Sequence, residues 1–370
     1  MAARNPARED YGRPSGLPSR ALEEEATGDP KLIISKTPYR ISFFGGGTDY
    51  PDWYLKEGGA VLSTTIDKFS YLTCRYLPPF FNVKHRVVWR HVETVNSISE
   101  ILHPAVRKGL QYLGYDDTRG IEIHFQGDLP ARSGIGSSSS FAVGLINSLS
   151  LLKGKQLTKD ELAAKAIELE QKILSETVGS QDQVAAAHGG FNVIRFSQSG
   201  AITLEPVNIP QSRVAELESH LMLLYTGSSR MATEIASKVT AQLFDHSDDL
   251  RRMHRMVDEA VEILKHGDSL RGFGELLHEG WMLKRSLADG VTTSQVDQIY
   301  DVARAHGCIG GKLIGAGGAG FMLLFAPPER HAEVKKTLQN YRLVPFAFET
   351  DGTCIIYNDQ DSVFAASSES

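Results

Sequence analysis

The sequence predicts an α+β protein of two domains, and three observations support this fold class. The first half is rich in short segments whose apolar residues alternate, which is typical of half-buried strands. The second half has three helical patterns, near residues 248–266, 269–287 and 294–306, together with apolar segments of strand length. A chain of 370 residues has room for two cores of roughly 150 residues each. We therefore predict an N-terminal domain over residues 30–207 and a C-terminal domain over residues 208–365.

Composition and charge limit the partners that the chain could bind. The hydrophobic and charged fractions, 41% and 23%, are those of an ordinary globular protein. A net charge of -6 argues against broad binding to nucleic acid or to an anionic membrane. The cysteines Cys74, Cys308 and Cys354 have no metal-ligand spacing and fit a reducing compartment.

The sequence shows neither a predicted membrane span nor a predicted signal peptide. No apolar run reaches the length of a membrane span, and residues 1–29 lack the hydrophobic core of a signal peptide. We expect a cytoplasmic protein with no membrane partner, and a disordered extension over residues 1–29. Assembly into a homo-oligomer is left open.

The first ordered segment leads into a glycine-rich loop. Residues 31–44 form two strand-like pieces interrupted at Pro38, and three glycines follow within residues 45–50. Glycines after a strand indicate close approach to the backbone, although a flexible turn is the alternative. Arg40 and Asp49 flank this loop. They could bind a polyhydroxylated or anionic ligand, or they could pair with each other.

Strand patterns continue at residues 60–66, 71–76 and 83–89. Lys84 and Arg86 belong to a basic cluster around the third strand. Such a cluster is usually a solvated edge, but a phosphorylated ligand could use it.

The central pattern is a strand at residues 121–125, a Gly- and Ser-rich loop at residues 128–140, and a helix. This order places free backbone N–H groups and a helix N-terminus around one concavity, which suits a phosphate. The common phosphate loop would need a Lys that is absent here. A polar turn that caps a buried helix is the alternative. The helix is indicated by apolar residues at 141, 145, 146, 149 and 152.

Two carboxylates follow. Residues 158–161 match a capping box that opens a helix, and Glu170 lies on the apolar face of that helix. A carboxylate among core positions must be paired, protonated or bound to a cation, so a buried salt bridge and a metal ligand are both open. Asp182 lies in the first turn of a short helix, where an acid ordinarily complements the helix dipole. His188 at the end of that helix is interpreted as a C-terminal cap.

The second half contains a third glycine-rich loop, at residues 310–320. Its glycines at 315, 317 and 320 spell G-x-G-x-x-G, but the loop leads into a strand at residues 321–325, whereas a dinucleotide fingerprint must open a helix. We therefore reject dinucleotide binding. The remaining elements are a connector at 206–218, a strand at 220–225, a helix near 328–340, and strands at 343–349 and 353–357.

Three small-residue loops, at residues 45–49, 134–140 and 315–320, stand in this order along the chain, and the central one fits Pro-x-x-x-Gly-x-Gly-Ser-Ser. Together they resemble the GHMP kinase superfamily over about residues 34–358. Residues 40–51 are most similar to the sugar kinases that act on D-glycero-D-manno-heptose 7-phosphate, and fucose kinase domains are close behind. Gly46 and Gly47 replace the Glu-His of galactokinase, which argues against galactose.

The resemblance implies a fold, a reaction and two cofactors. The N-terminal domain would be like ribosomal protein S5 domain 2 and the C-terminal domain ferredoxin-like, with the site in the cleft between them. The protein would transfer a phosphoryl group from ATP, with Mg²⁺, to the anomeric hydroxyl of D-glycero-D-manno-heptose 7-phosphate. The 1,7-bisphosphate formed would serve nucleotide-activated heptose and surface polysaccharide synthesis.

The resemblance also implies residue roles. Asp182 would be the general base and Arg40 the cation that supports it, while Ser138 and Glu170 would hold Mg²⁺. The residues expected at the ATP phosphates are Pro130, Ser133, Gly134, Ile135, Gly136, Ser137, Ser138 and Ser139. The residues expected at the sugar phosphate are Gly46, Gly47, Thr48, Asp49, Tyr50, Gly317 and Gly318, with Arg230 added on its charge alone.

Two alternatives remain. A kinase for another sugar, such as L-fucose, would need no pocket for a substrate phosphate, so charge reversal at Arg230 and Lys84 would leave it unaffected. A non-catalytic sensor of sugar and ATP would be suggested by loss of the base or of a metal ligand. Asp182, Glu170 and Ser138 are all present, which favours an enzyme.

Overall fold

The computed structural model describes residues 32–78, 80–227 and 232–359, without the side chain of Ala232. The predicted extension over residues 1–29 and the predicted substrate residue Arg230 lie outside these residues. The strands are β1 (Ile33–Phe44), β2 (Gly59–Tyr76), β3 (His85–Val88), β4 (Val92–Val95), β5 (Ile121–Gly127), β6 (Phe191–Phe196), β7 (Ile202–Pro206), β8 (Leu221–Tyr225), β9 (Gly310–Leu313), β10 (Phe321–Phe325), β11 (Arg342–Val344), β12 (Phe348–Glu349) and β13 (Cys354–Asn358). The helices are α1 (Pro51–Glu57), α2 (Pro104–Tyr112), α3 (Ser137–Leu152), α4 (Lys159–Ile167), α5 (Gln181–His188), α6 (Gln211–His220), α7 (Ala232–Ala241), α8 (Ser247–His266), α9 (Arg271–Ser286), α10 (Ser294–Ala305) and α11 (His331–Thr337).

The larger sheet contains nine strands. Its main path is β13-β1-β2-β5-β3-β4, while β6 and β12 also pair with β2, and β7 pairs with β6. All the pairs are antiparallel except β3 with β5. Helices α3, α4 and α5 bury their apolar residues together against β2 and β6. The sheet therefore supports the helices that carry the predicted phosphate loop and carboxylates.

The long strands β1 and β2 are each continuous where the sequence predicted two pieces. Their pairing shifts register between Pro38 and Tyr39, where β2 contributes two extra residues. A bulge of this kind accommodates a proline, which has no N–H to donate to the ladder. The predicted interruption is thus a bulge within the strand.

The smaller sheet has the order β11-β8-β10-β9, and all its pairs are antiparallel. Helices α8 and α9 pack between it and the larger sheet, because one hydrophobic cluster includes residues from β1, α8, α9 and β10. Within that cluster the ring centres of Phe43 and Phe273 are 5.6 Å apart, and those of Phe44 and Phe273 are 5.1 Å apart. The end of β1 is therefore fixed where the two sheets meet.

Several elements differ from the sequence predictions. The predicted connector at 206–218 joins β7 to β8 and contains most of helix α6, which the sequence pattern did not indicate. Helix α3 begins at Ser137, so the serines of the predicted loop form its first turn. Helices α1, α2 and α7 were not predicted.

The last two strands return to the larger sheet. β12 pairs with β2, and β13 pairs with β1. The domain limits at 207 and 208 remain a prediction, but the first sheet includes strands from the end of the chain. The two sheets, whose strands are almost all antiparallel, and the helices that accompany them confirm the predicted α+β class. Within the described ranges, no helix combines the length and apolar character needed to cross a membrane.

Candidate active site

A bidentate ion pair joins β1 to the start of α5. The Nε of Arg40 donates to Oδ1 of Asp182 at 2.6 Å, and its Nη2 donates to Oδ2 at 2.7 Å. The third nitrogen, Nη1, donates to the carbonyl of Gly134 at 2.7 Å. Arg40 is 5% exposed, whereas the Asp182 side chain is 22% exposed. The carboxylate is thus fixed in position and remains open to the cleft.

The predicted phosphate loop lies directly beside this ion pair. Gly136 is the N-cap of α3 and has φ +72°, a conformation that favours glycine. A Cβ at this position would be 3.3 Å from Oδ2 of Asp182. The N–H of Arg40 also donates to the carbonyl of Ile135 at 3.1 Å. The carboxylate and the N-terminus of α3 therefore lie next to each other, and the helix N-terminus with Arg40 is a place where an anion would be favourable.

Two other loop residues shape its backbone. Ser133 donates its hydroxyl to the carbonyl of Pro130 at 2.5 Å, and Ser137 accepts the N–H of Arg132 at 3.2 Å. Both serine side chains are buried, whereas Pro130 is exposed. These contacts are internal to the loop.

Glu170 is 1% exposed and is surrounded by hydrogen-bond donors. Ser138 donates to its Oε1 at 2.7 Å, while Ser139 and Gln183 each donate to its Oε2 at 2.6 Å. Burial raises the pKa of Glu170 to about 7, although these three hydrogen bonds lower it. Among the described residues no cation pairs with it, so the buried salt bridge left open from the sequence is wrong. A π-helical turn over Glu168–Ile173 gives the residue this position.

The oxygen atoms around Glu170 fit Mg²⁺. This ion usually binds one or two carboxylates together with water and substrate phosphates. Ser138 is exposed and adjacent to the phosphate loop, so it and Glu170 could reach a cation from the same side. No group of three or more His, Cys, Asp or Glu side chains with metal-binding geometry occurs in the described part of the chain. The residues therefore fit an ion held jointly with phosphates.

Asp49 closes the first glycine loop and is 3% exposed. Its Oδ1 accepts the N–H of Gly47 at 3.0 Å, and its Oδ2 accepts Nε2 of Gln181 at 2.9 Å. Burial raises the pKa of Asp49, and the nearby charge of Asp182 raises it further. Sequence reasoning did not find Gln181, although its place beside Asp182 at a helix start was a usable signal.

Polar atoms without partners also surround this loop. Oε1 of Gln181 and Oγ of Ser42 are buried and have no hydrogen-bond partner among the described residues. A Cβ at Gly46 would lie 3.9 Å from Oγ of Ser42 and 4.0 Å from Nε2 of Gln181. Because buried polar atoms normally have partners, these two atoms indicate a place for ligand hydroxyls.

Two predicted substrate residues have contacts inside the protein. The hydroxyl of Thr48 is fully buried and lies 2.8 Å from the carbonyl of Gly45 and 3.0 Å from that of Ala60. Tyr50 is partly buried against the hydrophobic cluster that contains Trp53. These contacts shape the loop, and a substrate role for either residue remains a prediction.

The third glycine loop touches the phosphate loop through its ends. A Cβ on Gly315 would be 2.3 Å from the Cα of Gly134, and a Cβ on Gly320 would be 2.4 Å from the carbonyl oxygen of Ser133. Gly317 and Gly318 instead contact Val291: Gly318 donates to its carbonyl at 3.0 Å, and a Cβ on Gly317 would be 2.7 Å from its Cα. The two glycines predicted at the substrate are thus not the two that contact the phosphate loop.

Two lysines missed by sequence reasoning also reach the cleft. Lys312 donates to the carbonyl of Phe43 at 2.8 Å, and Lys284 donates to the carbonyls of Leu313 and Gly315. Burial lowers the pKa of Lys312 to about 7, and the charge of Arg40 lowers it further. Desolvation likewise lowers the pKa of Lys284 well below its usual range.

The basic cluster predicted from the sequence has other contacts. Arg86 donates to Glu122 at 2.9 Å, and Lys84 donates to the carbonyl of Asp117. Both partners belong to the region of β3 and β5. These interactions connect the cluster to the sheet, with no hydrogen bond to the residues of the cleft described above.

The arrangement has the parts that phosphoryl transfer requires. A fixed carboxylate can accept the proton of an attacking hydroxyl, and the N-terminus of α3 can bind phosphate oxygens. A second carboxylate with a neighbouring hydroxyl can hold a metal ion. Phosphoryl transfer depends mainly on positioning and on charge stabilisation, which these groups can supply.

Comparison with known proteins gives the same family from both halves of the chain. Residues 98–190 match GHMP kinases N terminal domain, and residues 259–341 match GHMP kinases C terminal. The first of these matches includes the whole phosphate loop, Glu170 and Asp182. The second includes both lysines and the third glycine loop.

Relatives match over nearly the whole described chain. The D-glycero-alpha-D-manno-heptose 7-phosphate kinase of Campylobacter jejuni is 28% identical over 346 residues, which cover 87% of this chain and 98% of that protein. The bifunctional fucokinase/GDP-fucose pyrophosphorylase of Arabidopsis thaliana is 25% identical over 338 residues, which cover 84% of this chain and 32% of that protein.

A solved structure supports the same conclusion. The D-glycero-D-manno-heptose 1-phosphate kinase from Bacteroides thetaiotaomicron superimposes with a TM-score of 0.72 at 25% identity, covering 88% of this chain and 99% of that one. Both family domains, in the expected order along the chain, identify it as an ATP-dependent phosphotransferase that belongs to the GHMP kinase family.

Proposed function

We propose that this protein is a sugar kinase that transfers the γ-phosphoryl group of ATP to the anomeric hydroxyl of D-glycero-D-manno-heptose 7-phosphate. The observation that carries the proposal is the Arg40–Asp182 pair, which is held against the phosphate loop with its carboxylate open to the cleft. The relative from Campylobacter jejuni, named for this substrate, supports the choice of acceptor. The product would be the 1,7-bisphosphate, a precursor for nucleotide-activated heptose.

The chain's own residues would carry the proton and the phosphoryl group as follows. Asp182 accepts the proton of the anomeric hydroxyl while that oxygen attacks the γ-phosphorus. The bond between the γ-phosphorus and the bridging oxygen breaks, and ADP leaves with the electron pair. Arg40 keeps the carboxylate oriented, and backbone N–H groups at Gly136 and Ser137 bind phosphate oxygens.

Mg²⁺ is proposed at Ser138 and Glu170, where the surrounding oxygens fit it. When bound, it would neutralise phosphate charge. Asp49 and Gln181 would bind sugar hydroxyls, because both are buried at the first glycine loop and Oε1 of Gln181 has no partner among the described residues. A cytoplasmic location and possible self-assembly remain expectations from the sequence.

A kinase for L-fucose is the alternative within the same class, supported by the fucokinase relative. Heptose 1-phosphate is a further acceptor to consider, since it is named for the structural relative from Bacteroides thetaiotaomicron. Both are decided by the same experiment.

The test measures ADP formation with Mg²⁺ and ATP for heptose 7-phosphate, heptose 1-phosphate, the unphosphorylated heptose, L-fucose and galactose. We expect turnover to be highest with heptose 7-phosphate. Asp182→Asn, which retains the size of the side chain, should lower kcat by about 10²- to 10⁴-fold because it removes the base. Asp301→Asn, at an exposed position of α10, is the matched control and should retain full activity.

The outcomes separate reaction from substrate. A preference for L-fucose or heptose 1-phosphate would keep the kinase and change the acceptor. An Asp182→Asn variant with more than a tenth of the wild-type kcat would contradict the role of the base. Thermal unfolding of both variants shows whether a loss of activity reflects a loss of fold.

A further inference from the structure

Lys284 and Lys312 are two lysines near Arg40 and Asp49, and neither has a carboxylate within ion-pair distance among the described residues. Lys312 is 6% exposed, and its ammonium group lies 2.8 Å from the carbonyl oxygen of Phe43. Lys284 is half-buried and donates to the carbonyl oxygens of Leu313 and Gly315. A buried ammonium group that bonds only carbonyl oxygens has lost hydration, and the charge of Asp49 offsets only part of this cost because burial still lowers the pKa of both lysines.

The carboxylates of the cleft are already engaged. Arg40 binds both oxygens of Asp182, and Asp49 accepts from Gly47 and Gln181. Arg40, Lys284 and Lys312 lie close enough to affect one another's charge, and no carboxylate lies within ion-pair distance of either lysine among the described residues. An anion bound beside the two lysines would give them a direct ion-pair partner.

The lysines also have hydrogen-bond donors to spare. An ammonium group has three N–H donors. Among the described contacts Lys312 uses one of them and Lys284 uses two, so three N–H groups remain for a ligand. Phosphate, with three acceptor oxygens on its free face, matches both this charge and this number of donors.

The position of the pair brings it beside the first glycine loop, where the acceptor is proposed, because Lys312 bonds the segment just before that loop and the charge of Asp49 acts on both lysines. The phosphate loop and Arg40 lie at the N-terminus of α3, where the ATP phosphates are proposed to bind. Lys312 instead bonds the carbonyl of Phe43, two residues before the glycine loop that ends at Asp49. Lys284 comes from α9 and bonds the carbonyl of Gly315, which touches Gly134, so the pair of lysines lies between the first glycine loop and the phosphate loop.

We propose that Lys284 and Lys312 bind the phosphate group that the sugar acceptor already carries and so give the enzyme its preference for a phosphorylated sugar. This inference rests on the proposed function, because it concerns the acceptor of that reaction. It gives the substrate phosphate a site within the described residues, in place of Lys84 and Arg86, which bond elsewhere.

The test uses the full-length protein loaded with Mg²⁺ and a non-hydrolysable ATP analogue, so that the nucleotide phosphates already occupy their site. Calorimetry measures binding of inorganic phosphate, of heptose 7-phosphate and of the unphosphorylated heptose, and ADP formation with ATP in place of the analogue gives the turnover and the KM for ATP. The variants are Lys284→Met and Lys312→Met, with Lys284→Arg and Lys312→Arg to retain the charge. Lys335→Met, at an exposed position of α11, is the matched control.

We expect each methionine variant to weaken binding of inorganic phosphate and of heptose 7-phosphate by about 10- to 100-fold, the usual effect of losing a charge-assisted hydrogen bond. Binding of the unphosphorylated heptose and the KM for ATP should change by less than about 2-fold. The arginine variants should recover most of the binding, and the control should equal the wild type.

Other outcomes overturn the inference in distinguishable ways. Equal weakening for phosphorylated and unphosphorylated sugar would mean that the lysines only support the fold of the site. A rise confined to the KM for ATP would assign them to the nucleotide. If the wild type binds phosphate through the lysines but does not turn over heptose 7-phosphate, the proposed acceptor fails while the phosphate site stands. If the wild type turns over heptose 7-phosphate and the methionine variants bind it equally well, the proposed acceptor stands and the phosphate site fails.

Discussion

At the scale of single residues, the protonation of Lys312 depends on its burial and on the charged groups around it. Lys312 faces Arg40 from β1, Asp49 from the glycine loop and Lys284 from α9. Burial and Arg40 lower its pKa to about 7, and only Asp49 opposes this change. Near neutral pH the residue is therefore divided between its charged and neutral forms, and an arriving phosphate would favour the charged form.

The lowered pKa predicts how stability depends on pH. In the unfolded chain Lys312 has a pKa of about 10.4, so between pH 7 and that value the unfolded state binds more protons than the folded state. Stability from this group therefore rises with pH in that window, and the full cost of burying the charge is present below it. Replacing the residue removes this slope.

We expect Lys312→Met to gain stability relative to the wild type at pH 6.5 and to lose about 2 kcal/mol of that advantage by pH 9. The measurement is the free energy of unfolding by denaturant, without ligands, at both values of pH. Lys335→Met is the control and should follow the wild type. Parallel curves for Lys312→Met and the wild type would show that the charge of Lys312 is not affected by burial.

At the scale of elements, the site depends on backbones that approach one another at glycines. Gly315 has φ +80° and Gly134 has φ +86°, and the two residues touch through their main chains. A side chain on Gly315 would clash with Gly134, one on Gly134 would clash with the carbonyl of Ile314, and each would also be strained in its own conformation. The contact therefore fixes the distance between the backbones of the phosphate loop and the third glycine loop.

Gly315→Ala separates these two effects when it is compared with Gly154→Ala. Gly154 also has a positive φ, +73°, but a Cβ there would meet nothing within 4 Å. Gly154→Ala should cost only the strain, about 1–2 kcal/mol, and retain full activity. Gly315→Ala should cost about 1–3 kcal/mol more and lower kcat by at least about 10-fold, because it displaces the phosphate loop. Equal effects of the two variants on stability and on turnover would refute a role for this contact.

The same scale explains what the sequence could predict. The strand, loop and helix around residues 128–140 and the burial of Glu170 depend on spacing along one segment, so local pattern was sufficient to predict both. Lys284, Lys312 and Gln181 acquire their importance from neighbours distant in sequence, such as Phe43 and Asp49. No periodicity distinguishes these lysines from solvated ones, and only the packing of α9 and β9 brings them to the cleft.

At the scale of the whole molecule, the two halves are joined by the end of the chain. β13 pairs with β1, although 316 residues separate Thr37 from Thr353, whose hydroxyls are 2.8 Å apart. Loop closure over such a distance cannot be deduced from local pattern, and sequence analysis assigned these last strands to the C-terminal domain. The returning segment also packs against α5, which carries Asp182: the N–H of Thr353 donates to Ala186 at 2.8 Å.

This return predicts that the N-terminal half is incomplete without the end of the chain. A stop after Pro345 removes β12 and β13, which exposes β1 as an edge and deprives α5 of its contact with Gly352. We expect this truncation to lose activity and cooperative unfolding together, even though the phosphate loop, Glu170 and Asp182 are all retained. A stop after Asp359, which keeps both strands, is the control and should unfold in one transition with wild-type turnover. Adding residues 346–359 as a separate peptide should restore part of the activity, because the strand has a free edge to occupy. A fully active protein that ends at Pro345 would mean that the C-terminal strands lie beside the first sheet without supporting Asp182.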